Sequence, residues 1–195
     1  MLMRANLTVT EQARRAQIVA AAIETIAELG HARASFAKIA ERAGLSSTGL
    51  ISYHFRSRGA LMAEVLGTVT AAFTEYVVAE EDDGTAAGAL RAFLLANIGF
   101  MRDHRSQVVA MLRVAEAVSG GDDGGLAVRD RAALAALLAK GRDAGEFRAF
   151  DADLMAGFVL SLRNGVIMRA AAEPGFDLDA CGRELLATVD LATRP

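Results

Sequence analysis

Cysteine, proline and tryptophan are scarce or missing in this 195-residue chain, which has one Cys, two Pro and no Trp. A single thiol, Cys181, excludes a disulfide scaffold and fits a reducing, cytoplasmic compartment. The longest apolar run, from Leu154 to Leu162, has about half the length that a bilayer-spanning helix needs. No apolar run follows Met1 either, so neither a membrane span nor a secretory signal is predicted.

Residues that favour strands are also few. Aromatic residues make up 6% of the chain, whereas 53% of it is hydrophobic and 18 residues are glycine. The hydrophobic residues are mainly alanine and leucine, which favour helices. A high apolar content with a net charge of only −3 excludes a disordered chain. The composition therefore predicts an all-α protein.

The charged residues are unevenly distributed. Residues 1–60 carry eight Lys/Arg against four Asp/Glu, a net charge of +4, and residues 61–195 carry thirteen against twenty, a net charge of −7. A basic segment on an acidic protein indicates a polyanionic partner for that segment.

Apolar periodicity and capping residues predict about nine helices. Thr8 to Glu11 has the capping-box pattern, with Thr10 as an alternative N-cap, and Gly30 ends the first helix. The segment 120–125 is predicted as a glycine-rich loop, and Pro174-Gly175 as a break. The predicted helices cover about 10–29, 36–43, 48–54, 58–79, 86–103, 106–118, 126–144, 152–171 and 178–192. Their predicted caps include Ser35, Ser46 or Ser47, Ser57, Ser106, Asp151 and Asp177.

Two short helices joined by a glycine-containing turn, at about 36–54, have the helix-turn-helix layout, in which the second helix enters the DNA major groove. In that second helix, Leu50 and Ile51 are predicted to point inward. Its exposed face is predicted to carry short donors, a glycine and two aromatic residues with polar tips: Ser47, Thr48, Gly49, Ser52, Tyr53 and His54. Such groups contact phosphates, base edges and thymine methyls. An ordinary helix pair with a polar face shows the same spacing, so the pattern alone leaves both interpretations open.

Three runs of residues, 36–45, 48–55 and 57–61, resemble the DNA-binding domain of the tetracycline-repressor (TetR/AcrR) family. The resemblance implies a helix-turn-helix DNA-binding domain at 1–56, and a ligand-binding and dimerisation domain at 57–195 that a long fourth helix enters. It implies phosphate contacts for Ser35 and Arg58, and a recognition helix with Thr48, Gly49, Ser52, Tyr53 and His54. Arg14, Ser46 and Ser47 complete the predicted DNA-binding set.

The sequence departs from the family pattern at three places. The turn Leu45-Ser46-Ser47 is one residue longer than usual, which leaves open whether Ser46 or Ser47 caps the third helix. Ser52 stands where a Tyr is common, and Gly59 stands where a Glu is common.

The resemblance implies a homodimeric transcriptional regulator, in the first place a repressor, that a small apolar or amphipathic ligand releases from a pseudo-palindromic operator. A helical enzyme, or an interaction protein that does not bind DNA, is the alternative. His31, His54 and His104 are too widely spaced for a metal site. We therefore predict no catalytic residues, no metal and no cofactor.

Residues outside the DNA-binding segment suggest two further sites. Met and Phe shape adaptable apolar pockets, and the candidate ligand contacts are Phe93, Asn97, Phe100, Met101, Met111 and Arg113. The last two helices carry more apolar residues than one bundle face can hide, and the candidate dimer contacts are Val159, Leu162, Val166, Leu185 and Val189.

The sequence leaves the roles of Arg163, Asn164 and Cys181 undecided. Arg163 and Asn164 lie inside the most apolar helix, where they line a ligand pocket, bond across a dimer interface, or face solvent. Cys181 is either a small core residue or a redox switch.

Overall fold

The computed structural model describes residues 8–79, 82–118, 124–173 and 175–195. Within these ranges the chain is all-α, as predicted, with a short 3-10 turn at His31–Arg33. The helices are α1 (Val9–Leu29), α2 (Phe36–Arg42), α3 (Gly49–His54), α4 (Arg58–Ala79), α5 (Ala86–Asp103), α6 (Arg105–Val118), α7 (Gly124–Asp143), α8 (Ala152–Ala172) and α9 (Leu178–Thr193). The predicted glycine-rich loop at 120–125 lies largely outside the described residues, and Pro174 lies wholly outside them.

Side-chain caps start several helices where the sequence predicts them. Thr8 and Glu11 form the predicted capping box at α1. Ser35, Asp151 and Asp177 accept hydrogen bonds from backbone N–H groups in the first turns of α2, α8 and α9. The hydroxyl of Thr85 caps α5 in the same way, which the sequence analysis missed.

Two predicted caps are wrong. Thr48 occupies the N-cap position of α3 that the sequence analysis gave to Ser46 or Ser47, and its side chain makes no capping hydrogen bond. The helix α6 begins at Arg105 rather than after Ser106. The hydroxyl of Ser106 instead donates to Glu24 on α1, at 3.0 Å.

Contacts group the chain into two compact units. The head unit contains the described residues up to Ala71 together with Ser106–Val118, and the body unit contains Ala72–Arg105 and the described residues from 124 onward. The helix α4 therefore contributes residues to both units, whereas α6 lies in the head unit except for its first residue, Arg105. The predicted domain boundary between residues 56 and 57 falls within the head unit.

The head unit is built on fully buried isoleucines. Ile18 and Ile26 of α1, Ile39 of α2 and Ile51 of α3 have no exposed surface. Gly44 makes the tight turn after α2 with a φ of +63°, a conformation that glycine adopts without strain. The core and this turn fix the position of α3.

The body unit is a helical bundle of α5, α7, α8 and α9. Its core contains large aliphatic side chains from all four helices, together with a phenylalanine from the turn after α7: Leu90, Leu94, Ile98, Leu138, Phe147, Met155, Val159, Leu185 and Val189. By length and composition alone, α4 and α8 could also cross a bilayer, but core helices of soluble proteins pass the same test.

Candidate nucleic-acid interface

The short helix α3 displays its polar side chains on the protein surface. Ile51 and Phe55 anchor it in the core of the head unit, one helical turn apart. The predicted DNA-binding residues of α3 and the preceding turn are exposed, except for His54, which is half-buried: Ser46, Ser47, Thr48, Gly49, Ser52, Tyr53 and His54. A rigid helix with an exposed face of hydroxyls, glycine and aromatic rings suits entry into a DNA groove.

Leu50 corrects the predicted register of α3. The sequence predicts that Leu50 and Ile51 both point inward, but Leu50 is exposed whereas Ile51 is fully buried. The reason is helical spacing, because Ile51 and Phe55 lie four residues apart on one face and Leu50 lies outside it. Leu50 thus adds an apolar group to the exposed face, of the kind that contacts a thymine methyl.

Tyr53 is the most prominent side chain of this face, with 72% of its surface exposed. Its hydroxyl donates to Oε1 of Glu11 on α1 at 3.4 Å, and its ring packs edge-on against His54. Hydrogen bonds from the backbone and side chain of Thr8 hold the pKa of Glu11 below its usual value. The ionised Glu11 carboxylate therefore positions the tip of Tyr53.

Arg15 of α1 holds the carboxyl end of α3. Its Nη1 donates to the carbonyl of His54 at 2.6 Å, and its Nη2 pairs with Glu64 of α4 at 2.9 Å. Its guanidinium lies 4.3 Å from the ring centroid of Phe55. No sequence signal singles out Arg15 among the basic residues of this segment, so this positioning role was not predicted.

Three of the predicted DNA contacts, Arg14, Ser35 and Arg58, make hydrogen bonds within the protein. Nη1 of Arg14 donates to Gln17 at 2.7 Å, and Nη2 of Arg58 donates to the carbonyl of His31 at close range. Burial lowers the pKa of His31, and the positive charge of Arg58 lowers it further. The exposed Ser35 hydroxyl caps α2 by accepting from Lys38 N at 3.3 Å. All ten predicted DNA-binding residues belong to the head unit.

The candidate ligand contacts belong to both units. Phe93, Asn97, Phe100 and Met101 lie on α5 in the body unit, whereas Met111 and Arg113 lie in the part of α6 that belongs to the head unit. Arg113 donates to the carbonyl of Ile26 at 3.1 Å, so its guanidinium holds the end of α1. Asn97 is 5% exposed and donates to the carbonyl of Phe93 at 2.8 Å.

Four of the five candidate dimer contacts lie inside the protomer. Val159, Val166, Leu185 and Val189 are buried in the core of the body unit, and only Leu162 is exposed. Buried side chains cannot supply a contact between subunits, which corrects the predicted set. The large apolar side chains that α8 exposes are Leu154, Phe158, Leu162 and Met168.

The described residues bear on two other kinds of site, a reactive thiol and a metal centre. Cys181 is a free, half-buried thiol packed against the core of the body unit. No group of His, Cys, Asp or Glu in the described ranges could hold a metal ion.

Comparisons with known proteins agree on the type of N-terminal domain. Residues 18–65 match the family model described as bacterial regulatory proteins, tetR family. The HTH-type transcriptional regulator BetI of Escherichia coli (strain K12 / DH10B) is 38% identical over 65 residues, 33% of this chain and 33% of that protein. BetI of Klebsiella pneumoniae (strain 342) is 33% identical over 87 residues, 43% of this chain and 44% of that protein. The chain thus spans less than half the length of these relatives, which are regulators and not enzymes.

Solved structures match nearly the whole chain. A TetR-like transcriptional regulator from Rhodococcus sp. RHA1 has a TM-score of 0.75 and 23% identity, and covers 92% of this chain and 96% of its own. A protein from Saccharomonospora viridis in complex with choline has a TM-score of 0.82 and 21% identity, over 94% and 99% of the two chains. At these identities the likeness establishes the fold. Residues 18–65 therefore form a helix-turn-helix domain of the kind found in bacterial regulatory proteins of the tetR family, and the chain as a whole shares the fold of these solved structures.

Proposed function

We propose that the protein is a homodimeric transcriptional repressor that binds a pseudo-palindromic operator and releases it when a small amphipathic ligand binds the body unit. The exposed polar face of α3 carries this proposal. It combines hydroxyls, a glycine and an exposed tyrosine on a helix that Ile51, Phe55 and Arg15 hold in place. This face lies in the segment of net charge +4, which suits a polyanion.

The residues divide into two kinds of DNA contact. Thr48, Ser52 and Tyr53 are placed to reach base edges, where a contact determines sequence preference. Arg14 and Arg58 contact phosphates. To do so, each side chain gives up the hydrogen bond that it makes within the protein. Phosphate contacts set affinity and its salt dependence rather than sequence preference.

Dimerisation follows from the exposed apolar face of α8. Leu154, Phe158, Leu162 and Met168 recur at helical spacing, with Gly165 between the last two. A row of exposed apolar side chains of this kind marks an interaction surface. A second copy is the occupant that the function requires, because helix-turn-helix dimers read two half-sites related by a two-fold axis.

The body unit is the proposed site of ligand binding. The Saccharomonospora viridis structure, which shares the fold, holds the small molecule choline. In this chain the proposed contacts are Phe93, Asn97, Phe100 and Met101 on α5. Because α4 contributes residues to both units, a ligand that shifts α4 in the body unit changes its position in the head unit, which couples ligand and DNA reciprocally.

Gel shifts with DNA from upstream of its own gene test the proposal. We expect Tyr53→Ala and Thr48→Ala to change the preference among operator variants. Arg58→Gln should weaken binding to all sequences and reduce the salt slope by about 0.9. Arg183→Gln, which removes a positive charge from an exposed position on α9, is the matched control and should bind as the wild type does. Unchanged operator affinity in all three head variants at fixed salt would contradict the proposal.

A further inference from the structure

Arg163 lies on the buried face of α8. Val159 and Val166, four residues before it and three after it, are buried, and so is Ala170 one further turn along. Residues at these spacings share one face of a helix. Asn164, the next residue along, is exposed. The guanidinium of Arg163 therefore points toward the interior of the body unit, away from the exposed face that carries Phe158.

The groups that accept hydrogen bonds from this guanidinium are neutral. Its Nη1 donates to Oδ1 of the buried Asn97 at 3.4 Å, and its Nε and Nη2 donate to Oδ1 of Asn164 at 3.2 and 2.9 Å. The ring centroid of Phe93 lies 5.6 Å away. Among the described residues, no carboxylate lies within ion-pair distance of Arg163, whereas four other arginines of the body unit form ion pairs.

The positive charge of Arg163 is only partly balanced by negative charge nearby. Burial lowers the pKa of Arg163, and the charge of Asp130 offsets this effect only in part. An inward-facing charge without a partner of opposite sign is costly. A carboxylate placed beside it would make two parallel charge-assisted hydrogen bonds with the planar guanidinium.

We propose that Arg163 binds the carboxylate headgroup of an acidic amphipathic ligand, whose apolar part lies against Phe93. This inference rests on the proposed function and specifies the charge of its effector. Asn97 supports the site, because its Nδ2 is held by the carbonyl of Phe93 and its Oδ1 faces Arg163. The same cation repels a quaternary ammonium such as choline, so the ligand class differs from that of the Saccharomonospora viridis protein.

Binding calorimetry with three ten-carbon probes tests the charge preference in the full-length chain. Decanoate, decanol and decyltrimethylammonium share an alkyl chain and differ in headgroup charge. We expect decanoate to bind at least about tenfold more tightly than decanol, because one charge-assisted hydrogen bond contributes a free energy of this size. We expect the cation decyltrimethylammonium to bind more weakly than decanol. Arg163→Gln should reduce decanoate to the affinity of decanol, whereas the control Arg183→Gln should leave the preference unchanged.

Several outcomes overturn the proposal. They are an absence of decanoate binding, equal affinity for decanoate and decanol, and a preference that persists in Arg163→Gln. If that variant does not fold, Arg163→Lys decides, because it keeps the charge without the planar fork. A reduced preference is then expected, and an unchanged one counts against the site. Gel shifts on the same samples separate the two proposals, since a chain that prefers decanoate and never binds operator DNA has the site without the repressor function.

Discussion

At the scale of single residues, the two adjacent arginines of α1, Arg14 and Arg15, make different contacts. Within the described part of the chain, the hydrogen-bond partner of Arg14 is Gln17, one turn along its own helix. Arg15 bonds with the end of α3, with Glu64 of α4 and with the ring of Phe55. The two side chains have the same charge and neighbouring positions, so their roles separate into contact with DNA for Arg14 and support of the recognition helix for Arg15.

Replacing each arginine separates these roles. Arg15→Ala should lower the free energy of unfolding by about 1–3 kcal/mol, since it leaves the His54 carbonyl without its charged donor. Arg14→Ala should leave stability within about 0.5 kcal/mol of the wild type and weaken operator binding. Urea unfolding followed by circular dichroism measures both. Equal destabilisation by the two variants would contradict the role given to Arg15.

Part of this site could be predicted from the sequence. The capping residues and the polar face of α3 are local signals, and Thr8, Ser35 and Tyr53 lie where these signals place them. The role of Arg15 could not be predicted in this way, because its partners His54 and Glu64 lie 39 and 49 residues further along the chain. Only the folded arrangement shows which of several arginines meets them.

At the scale of elements, the end of α7 is held by close packing on a glycine. The ring of Phe147, in the turn after α7, lies directly over Gly141, in contact with the position that a Cβ atom would occupy. The methyl group of Ala86 on α5 would lie 2.7 Å from the same position. Gly141 thus lets α7 approach α5 and lets the turn fold back on it.

Gly141→Ala tests this packing. Alanine is the better helix former by about 1 kcal/mol, yet we expect the variant to lose about 1–3 kcal/mol because Phe147 must move out of the core. Gly67→Ala on α4 is the control, since nothing lies within 4 Å of its added methyl group. That variant should gain stability. Thermal melting compares the two, and a stabilised Gly141→Ala would show that Phe147 moves at little cost.

The helix α8 shows where sequence patterns fail at this scale. Its length and its Asp151 cap could be predicted, but it is apolar nearly all round, so periodicity does not distinguish the face in the core from the face on the surface. The apolar pattern accordingly predicts Val159 and Val166 as dimer contacts, and the structure buries both. The fold of the body unit decides the orientation, and it leaves Leu154 and Phe158 exposed.

At the scale of the whole molecule, α4 is the helix that contributes a segment to each of the two units, 58–71 to the head unit and 72–79 to the body unit. The sequence predicts a long fourth helix that enters the second domain. The helix α6 lies in the head unit except for its first residue, Arg105, and it bonds to α1 there, through Ser106 to Glu24 and through Arg113 to the carbonyl of Ile26. The helix α4 therefore belongs in any account of how ligand binding would change DNA binding.

Dimerisation through α8 is the prediction that concerns the molecule as a whole. Phe158 is 63% exposed in the protomer and lies in the middle of the exposed apolar face. A glutamate there places a charge in the proposed interface, and two copies related by a two-fold axis bring two such charges together at a cost that an apolar interface cannot offset. Phe158→Glu should therefore be a monomer at micromolar concentration.

Light scattering measures the mass, and a gel shift on the same sample measures operator binding. Since two linked heads bind far more tightly than one, the monomer should lose affinity by about a hundredfold or more. Val78→Glu is the control, because Val78 is 79% exposed on α4, outside the α8 face, and the variant should remain a dimer. A Phe158→Glu protein that stays dimeric, with its melting temperature unchanged, would place the subunit interface on a surface other than α8.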